Sequence, residues 1–549
     1  MATLPNNLFK LEEGQDPAAL WEQINVHYDL EKSITQTHDS ICYDSFDWRL
    51  FLQGWQLTAH NKKTAYESGQ NTAQQTECWS IILESVDGQQ QYARQSLKQV
   101  PTFAWDFPDS LLKTQLQPIL EMRALLAHTH LHWVVQTWKV LDDEQKTVVR
   151  LQLETVYVVG ENSEHTCLGQ ALRVLPVRGY TKALQRVLQI IQAQALETEQ
   201  KSWLELAWRQ TQQQPGSYSS KLNLQLKPDM PANIATKIIL QRLLDTMQEN
   251  EAGTRQNLDS EFLHDFRVAI RRTRSVLSQV KGVLPKTTVT RFKPQFAWLG
   301  SVTTPTRDLD VYLLDFDKYH AMLPAQVQPD LAPLLHFLQQ HHRQAQQKMA
   351  KTLVSKTYQK LIQEWQQFIH SPSRAHPQIP NSGRPVIEVA NENIWKAYRK
   401  VLKAGKRIND DTPVVALHEL RKDCKKLRYL MEFFQSLYPK DRAMRSIKIL
   451  KDFQNILGDI QDYFVQVEHL QSFAEQMVEE GTGSSRTLLA MGVLVGHLLD
   501  LEQQARTRFT ERFEIFAQET NRHRFAELFK PQKAKITKVI TKATQAGGA

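Results

Sequence analysis

The sequence predicts an α+β chain of two domains, an antiparallel β domain followed by an all-helical one, and three observations predict it. The 549 residues exceed the ~250 to 300 at which one hydrophobic core stops growing. Up to about residue 200, the short β-rich runs CWSIILESV, TWKVL, VVRLQLETVYVV and QALRVLPV alternate between Gly, Asn and Asp clusters, which is the period of strands. Beyond about residue 230, NIATKIILQRLLDTMQEN, EFLHDFRVAIRRTRSVLSQV, LLHFLQQHHRQAQQKMAKTLV, NENIWKAYRKVLKAG and ALHELRKDCKKLRYLMEFFQSL repeat apolar positions every three to four residues.

The boundaries follow from the breaks in these patterns. TKALQRVLQIIQAQALE, from about residue 181, is an amphipathic helix, and QTQQQPGSYSS interrupts it. This places a β domain at 1–211, a linker at 212–229 and a helical domain at 230–525. Within the helical domain, HSPSRAHPQIPNSGRPV (370–386) carries four prolines and connects two sets of helices. The last residues, 526–549, include five lysines without an acid from 530 on and are expected to form a disordered basic tail.

Composition excludes some classes. The hydrophobic fraction is 41% and the charged fraction 23%, and no run of 18 apolar residues could span a bilayer. The start MATLPNNLFK lacks a basic-then-apolar secretory pattern, and the four cysteines contain no CxxC. A cytoplasmic protein with no membrane partner is expected. The net charge of +8 is unevenly spread: residues 1–229 hold about 20 Lys/Arg against 26 Asp/Glu, and residues 230–549 about 47 against 33. The helical part is therefore the cationic one, and its field concentrates anions.

Within it lies a repeat. HDFRVAIRRTRSVL from His264 aligns with HELRKDCKKLRYLM from His418, setting Arg267 on Arg421, Arg271 on Lys425, Arg272 on Lys426 and Arg274 on Arg428. Each block is followed by an apolar, Gly and acidic signature, FAWLGSVTTPTRDLDVYLL and LKDFQNILGDIQDYFVQ, which marks an internal duplication. At about 100° per residue, Arg267, Arg271 and Arg274 fall within about 80° of His264, while Phe266, Ile270 and Leu277 fall opposite. In the second copy Arg421, Lys425 and Arg428 oppose Leu420, Cys424, Leu427 and Met431. Like charges three and four residues apart repel, so each stripe needs an anion or neighbouring acids such as Asp308/Asp310 and Asp459/Asp462. A charged stripe is usually only a solvated face, and a lone histidine usually a structural one; two copies in the same phase weaken both accounts. No catalytic residue, metal ligand set or cofactor is expected in these blocks, which lack metal-site spacing and a placed acid/base carboxylate.

The pattern H-x-x-R-x-x-x-R-R/K-x-R followed by LG and R-D-x-D, duplicated within about 300 helical residues, resembles the CHAD domain over residues 230 to 525. The resemblance implies two four-helix bundles related by a pseudo-twofold, a shared basic cavity, and binding of inorganic polyphosphate, often at polyphosphate granules. The candidate polyphosphate-binding residues are His264, Arg267, Arg271, Arg272, Arg274 and Arg307 in the first copy, and His418, Arg421, Lys425, Lys426 and Arg428 in the second. Lys396, Arg399, Lys400, Lys403, Lys448 and Lys451 are further donors. The second copy has Lys425 and Lys426 for arginines and lacks the arginine that Arg307 supplies. Arginine grips phosphate with two donors whereas lysine acts as a point charge. Histidines facing such a cavity would raise affinity as pH falls.

In the N-terminal part, YDSFDWRLFLQGWQL (43–57), TWKVLDDEQKTVVRLQLE (137–154) and RVLPVRGYTKALQRV (173–187) resemble a CYTH domain, the β-tunnel fold of triphosphate-processing enzymes. Such enzymes open with Glu-x-Glu-x-Lys; here LFKLEEG sets Leu8, Lys10 and Glu12 at those places. LTAH (57–60) stands where Arg-x-Arg is expected, WSIILES lacks the usual lysine, and too few carboxylates assemble to hold Mg²⁺. Lys146, Arg150 and Glu154 survive, with exposed alternating charge as their plainer account. His128, His130 and His132 would share one strand face, but their spacing makes one three-His metal site awkward.

The expected function is therefore non-enzymatic binding of inorganic polyphosphate, at granules, beside a catalytically degenerate CYTH-like domain. An active metal-dependent triphosphatase or polyphosphatase, with the helical domain delivering substrate, is the alternative. A nucleic-acid partner is not expected despite a pI near 9.0, because no helix-turn-helix, zinc-finger or RNA-recognition signature is present and no aromatics interleave the basic stripes.

Overall fold

The computed structural model describes residues 8–11, 17–63, 78–87, 90–160, 162–194, 196, 202–372, 378–409 and 411–531. Glu12 and the tail from residue 532 lie outside them, as do residues 373–377 of the proline-rich connection. The chain divides into two compact units between Ser219 and Ser220, inside the stretch expected as a linker. That stretch docks on its own unit at each end: the Gln213 amide donates to the His128 carbonyl at 2.7 Å, while Leu222 and Leu226 are buried in the helical core.

The first unit is built on one antiparallel sheet. Its strands are β1 (Leu8–Leu11), β2 (Asp29–Asp44), β3 (Trp55–Lys63), β4 (Trp79–Ser85), β5 (Gln91–Leu97), β6 (Leu126–Leu141), β7 (Thr147–Val159) and β8 (His165–Pro176). They lie in the order β1-β8-β7-β6-β2-β3-β4-β5. Helices α1 (Ala18–Asn25), α2 (Arg49–Leu52), α3 (Leu111–Leu120), α4 (Thr181–Ala193) and α5 (Trp203–Gln210) cover it. Alternation along the strands makes three patches: α1 and α4 close over Val149, Leu151 and Leu172, α3 over Leu57, Ala59 and Ile81, and α5 over Leu131, Val156 and Ala171. The predicted strands are all present, and LFKL adds a short edge strand on β8.

The second unit is helical: α6 (Ala232–Gln256), α7 (Ser260–Gln279), α8 (Lys286–Leu314), α9 (Phe316–Met322), α10 (Ala332–Leu353) and α11 (Lys356–His370), then α12 (Val386–Gly405), α13 (Val414–Phe434), α14 (Lys440–Glu479), α15 (Ser485–Thr507), α16 (Phe509–Ala517) and α17 (Glu519–Phe529). Helix α17 carries ordered structure through Phe529, which is 1% exposed; the helical unit thus runs past 525, where the sequence placed the start of a tail. None of the described helices is long and apolar enough to cross a membrane.

The duplication has a constant offset of 154 residues. Pro231 and Pro385 flank α6 and α12, and Pro285 and Pro439 flank α8 and α14. Pro231 and Pro385 also pair with each other. There the Ala232 N–H donates to the Arg384 carbonyl at 2.9 Å and the Val386 N–H to the Met230 carbonyl at 2.8 Å, so equivalent residues exchange equivalent bonds. The apolar cores do not divide along the repeat. One joins α6, α7 and α11 to α12, α13, α16 and α17; the other joins the far end of α8, α9 and α10 to the far end of α14 and α15. Sharing both cores fixes the two copies against each other.

Close helix contacts use glycine. A Cβ at Gly405 of α12 would collide with the ring of Phe513 on α16. Alanine favours a helix by about 1 kcal/mol over glycine, but overpacking a buried contact costs about 1–3 kcal/mol. Gly405→Ala should therefore lower the denaturant unfolding midpoint, against the direction of helix propensity.

Candidate functional site

Helices α7 and α13 hold the two basic stripes. Asp259 caps α7, its carboxylate accepting from the N–H groups of Glu261 (2.9 Å) and Phe262 (3.2 Å). Phe266, Ile270 and Leu277 on α7, and Leu420, Cys424, Leu427 and Met431 on α13, are buried in the shared core. Burying those faces turns the intervening positions outward, as the helical periodicity predicts.

Between α7, α13 and the start of α8 lies a cavity of about 450 Å³. Its charged lining is Arg271, Arg274, Lys293, Lys422, Lys425 and Lys426, with Ser275, Ser278 and Gln279 as neutral donors; no carboxylate lines it. Lys422 is paired with Glu419 (2.8 Å) and Lys426 with Asp423 (3.2 Å). Among the described residues, Arg271, Arg274, Lys293 and Lys425 have neither a hydrogen bond nor an ion pair. Burial pushes the Lys425 ammonium down to about 8, and the neighbouring Arg421, Arg271 and Arg428 act in the same direction. Gly300, the glycine of the LG motif, leaves room for Arg274: a Cβ there would approach its Nη1 to 3.3 Å.

The other stripe residues are occupied within the protein. The Arg307 Nη2–H donates to Nδ1 of His264 at 3.1 Å, and the His418 Nδ1–H donates to the Gln461 carbonyl oxygen at 2.5 Å. Arg307 and Gln461 each stand 43 residues beyond their histidine. Gln461 thus takes the place for which the sequence offered no equivalent of Arg307. Arg267 donates to Thr303 Oγ1 (2.9 Å) and Thr304 Oγ1 (3.1 Å), and Arg421 to Asp462 (2.8 Å). Burial raises both Asp308 and Asp462, and Arg267 and Arg421 respectively oppose the shift. Asp310 accepts from His342 at 2.7 Å. These groups brace α7 on α8 and α13 on α14; neither histidine lines the cavity.

Arg272 and Arg428 meet on Glu432, at 2.9 and 3.4 Å. Lys396, Arg399, Lys400 and Lys403 line a different, wider groove of about 1040 Å³ along α12 and α17, together with Lys406, Arg522, His523, Glu392 and Glu519. Lys400 is tied to Asp423 at 2.8 Å. Lys448 and Lys451 are exposed on α14 and line neither cavity. Sequence reading missed Lys293, Lys422 and Glu432. Lys293 lies outside the repeated block, in RFKP just before FAWLG, and only packing of α8 on α7 brings it to the cavity.

In the first unit the Y-D-S-x-D-x-R-L element forms a latch. The buried Asp44 carboxylate accepts from the N–H groups of Ser45, Leu50 and Phe51, and Asp47 pairs with Arg49 at 3.1 Å and Arg123 at 3.4 Å. Glu154 is ion-paired with Arg173 and Lys146 with Glu144. The three alternating histidines part company: His128 Nε2 contacts the Ser45 carbonyl at 3.0 Å, whereas His130 and His132 bracket Asp39 at 3.2 and 2.9 Å. Among the described residues no group of three or more His, Cys, Asp or Glu is placed to hold a metal.

Known proteins and solved structures resemble parts of this chain. Two uncharacterized proteins from strains of Mycobacterium tuberculosis are each 25% identical over 290 residues, 51% of this chain and 52% of theirs. The chain therefore spans about half the length of the curated relatives it matches. Among solved structures, the CHAD domain from the plant Ricinus communis is 24% identical, covering 57% of this chain and 98% of that one with a TM-score of 0.44. PptA from Streptomyces chartreusis is 16% identical, covering 52% and 99% with a TM-score of 0.40. A putative adenylate cyclase from Vibrio parahaemolyticus is 9% identical, covering 36% and 94% with a TM-score of 0.21. The model of the CHAD domain matches residues 238–471, from α6 into α14. The helical unit of this chain contains a CHAD domain.

Proposed function

We propose that the helical unit binds a linear polyanion, inorganic polyphosphate first, in the cavity between α7, α13 and α8, without chemical conversion. One observation carries the reading: six cations line this space without a carboxylate, and four of them have no ion pair. Cations held at this density repel one another, and an anion that enters removes the repulsion and gains charge-assisted hydrogen bonds. A repeating phosphate chain carries charge at the spacing of such a row and needs no base-reading contacts. The CHAD resemblance points to the same ligand and to polyphosphate granules as the place of action. It also implies two bundles about a pseudo-twofold, with which the 154-residue offset agrees. Among the described residues of the sheet unit, read as a CYTH-like tunnel, no group of three or more His, Cys, Asp or Glu is placed to hold a metal.

Titration of the full chain with polyphosphates of defined length should give affinity that rises with length, and a logarithmic salt slope of roughly −4 to −5 if six contacts form. Replacing Arg271 and Lys425 together by glutamate should weaken binding about 100-fold or more, since each charged hydrogen bond is worth ~1.5–3 kcal/mol. Equal affinity for DNA or RNA of matched charge, or full binding by the double variant, would overturn the proposal. Mg²⁺-dependent release of phosphate from tripolyphosphate would instead favour the enzymatic reading.

The pH response should come from Lys425. Its ammonium titrates near 8 in the free protein, and a bound anion raises that value by favouring the charged form. Affinity is then full below pH 8 and falls as pH rises through the bound-state value. Calorimetry near pH 8.5 in buffers of different ionisation enthalpy should show net proton uptake on binding, and Lys425→Gln should abolish it.

A further inference from the structure

The 154-residue offset maps the cavity onto a second place in the fold. Arg271 goes to Lys425, Arg274 to Arg428, Ser275 to Tyr429, and Pro294 and Ala297 of α8 to Lys448 and Lys451 of α14. In reverse, Lys425, Lys426 and Tyr429 go to Arg271, Arg272 and Ser275. Arg271, Lys425, Ser275 and Tyr429 thus map among themselves and form a floor common to both places. Four lining positions break the relation: Lys293 maps to Ile447, Lys422 to Val268 and Gln279 to Phe433, while Ser278, a small neutral residue, maps to the acidic Glu432.

Resting on the polyanion reading above, we infer that the helical unit has a second, latent anion groove, and that the Glu432 carboxylate occupies it as a built-in competitor. Its two oxygens lie at 2.9 Å from Arg272 Nη2 and 3.4 Å from Arg428 Nε, on side chains only 15% and 25% exposed. A carboxylate between two guanidinium groups stands where a phosphate would stand. It does not saturate them: the Nε of Arg272 is buried without a hydrogen-bond partner. Lys448 and Lys451, exposed and outside both open cavities, are the cations that α14 would add. The same carboxylate ties α13 to α7 across the repeat, so the second groove opens only to an anion able to displace it. A chain already anchored in the first cavity has that advantage through its high effective concentration.

The test is calorimetric titration of the full chain with tripolyphosphate at low salt, comparing wild type with Glu432→Ser and Glu432→Gln. Serine restores the residue of the equivalent position, and glutamine removes the charge while keeping shape, so it serves if the serine variant unfolds. The expected result is a rise from one to two short chains bound, or about a tenfold gain in affinity, in both variants. Adding Arg428→Gln should cancel the gain, whereas Arg274→Gln with Lys293→Gln, which touch only the first cavity, should leave it. Wild-type binding with unchanged or weaker binding in both Glu432 variants would overturn the latent groove while leaving the polyanion reading intact. Absence of binding in wild type and variants alike would overturn both, and binding by the variants alone would establish the competitor.

Discussion

Positive charge held close to positive charge is the constraint on which the helical unit depends. Arg271 on α7 is near enough to Lys425 on α13 to disfavour its charge, and among the described residues neither forms a salt bridge. Such an arrangement persists only where other interactions impose it. Here it is imposed by the apolar faces of the same helices, buried in one core with α6, α11 and α12, at roughly 1.5–3 kcal/mol for each large side chain removed from water. The reciprocal bonds about Pro231 and Pro385 add a backbone lock. The core thus pre-organises the cationic lining of the cavity between α7, α13 and α8.

Around this centre the duplicated residues divide into two classes. Those nearest the histidines are partnered internally: Arg307 on His264, Gln461 on His418, Arg267 on two threonine hydroxyls and Arg421 on Asp462. They fix the helix pairs α7–α8 and α13–α14. Of those one to two turns further along, Arg271, Arg274 and Lys425 remain unpaired among the described residues, whereas Arg272 of the first copy and Arg428 of the second meet on Glu432 and Lys426 pairs with Asp423. Similar sequence in the two stripes therefore does not give similar surfaces.

The sheet unit shows the same distinction. Residues that make its sequence look like a phosphate-processing tunnel are spent on folding: Asp44 closes a turn through three backbone N–H groups, and Glu154 and Arg173 neutralise each other between adjacent strands.

Sequence alone determined the order of the two units, the strands, the helices, the duplication and the apolar and basic faces of α7 and α13, because these follow from local periodicity and composition. It placed Arg271, Arg274, Lys425 and Lys426 on the outward side of amphipathic helices, and all four line the same cavity. Tertiary structure decided which cations share one space. It brought Lys293 from another helix, sent Lys396, Arg399, Lys400 and Lys403 to a separate groove, and set Glu432 against Arg272 and Arg428. The physical reason is that periodicity fixes the direction of a side chain about its own helix axis, whereas charge pairing depends on distances between helices. Those distances are set only when the two copies pack into common cores.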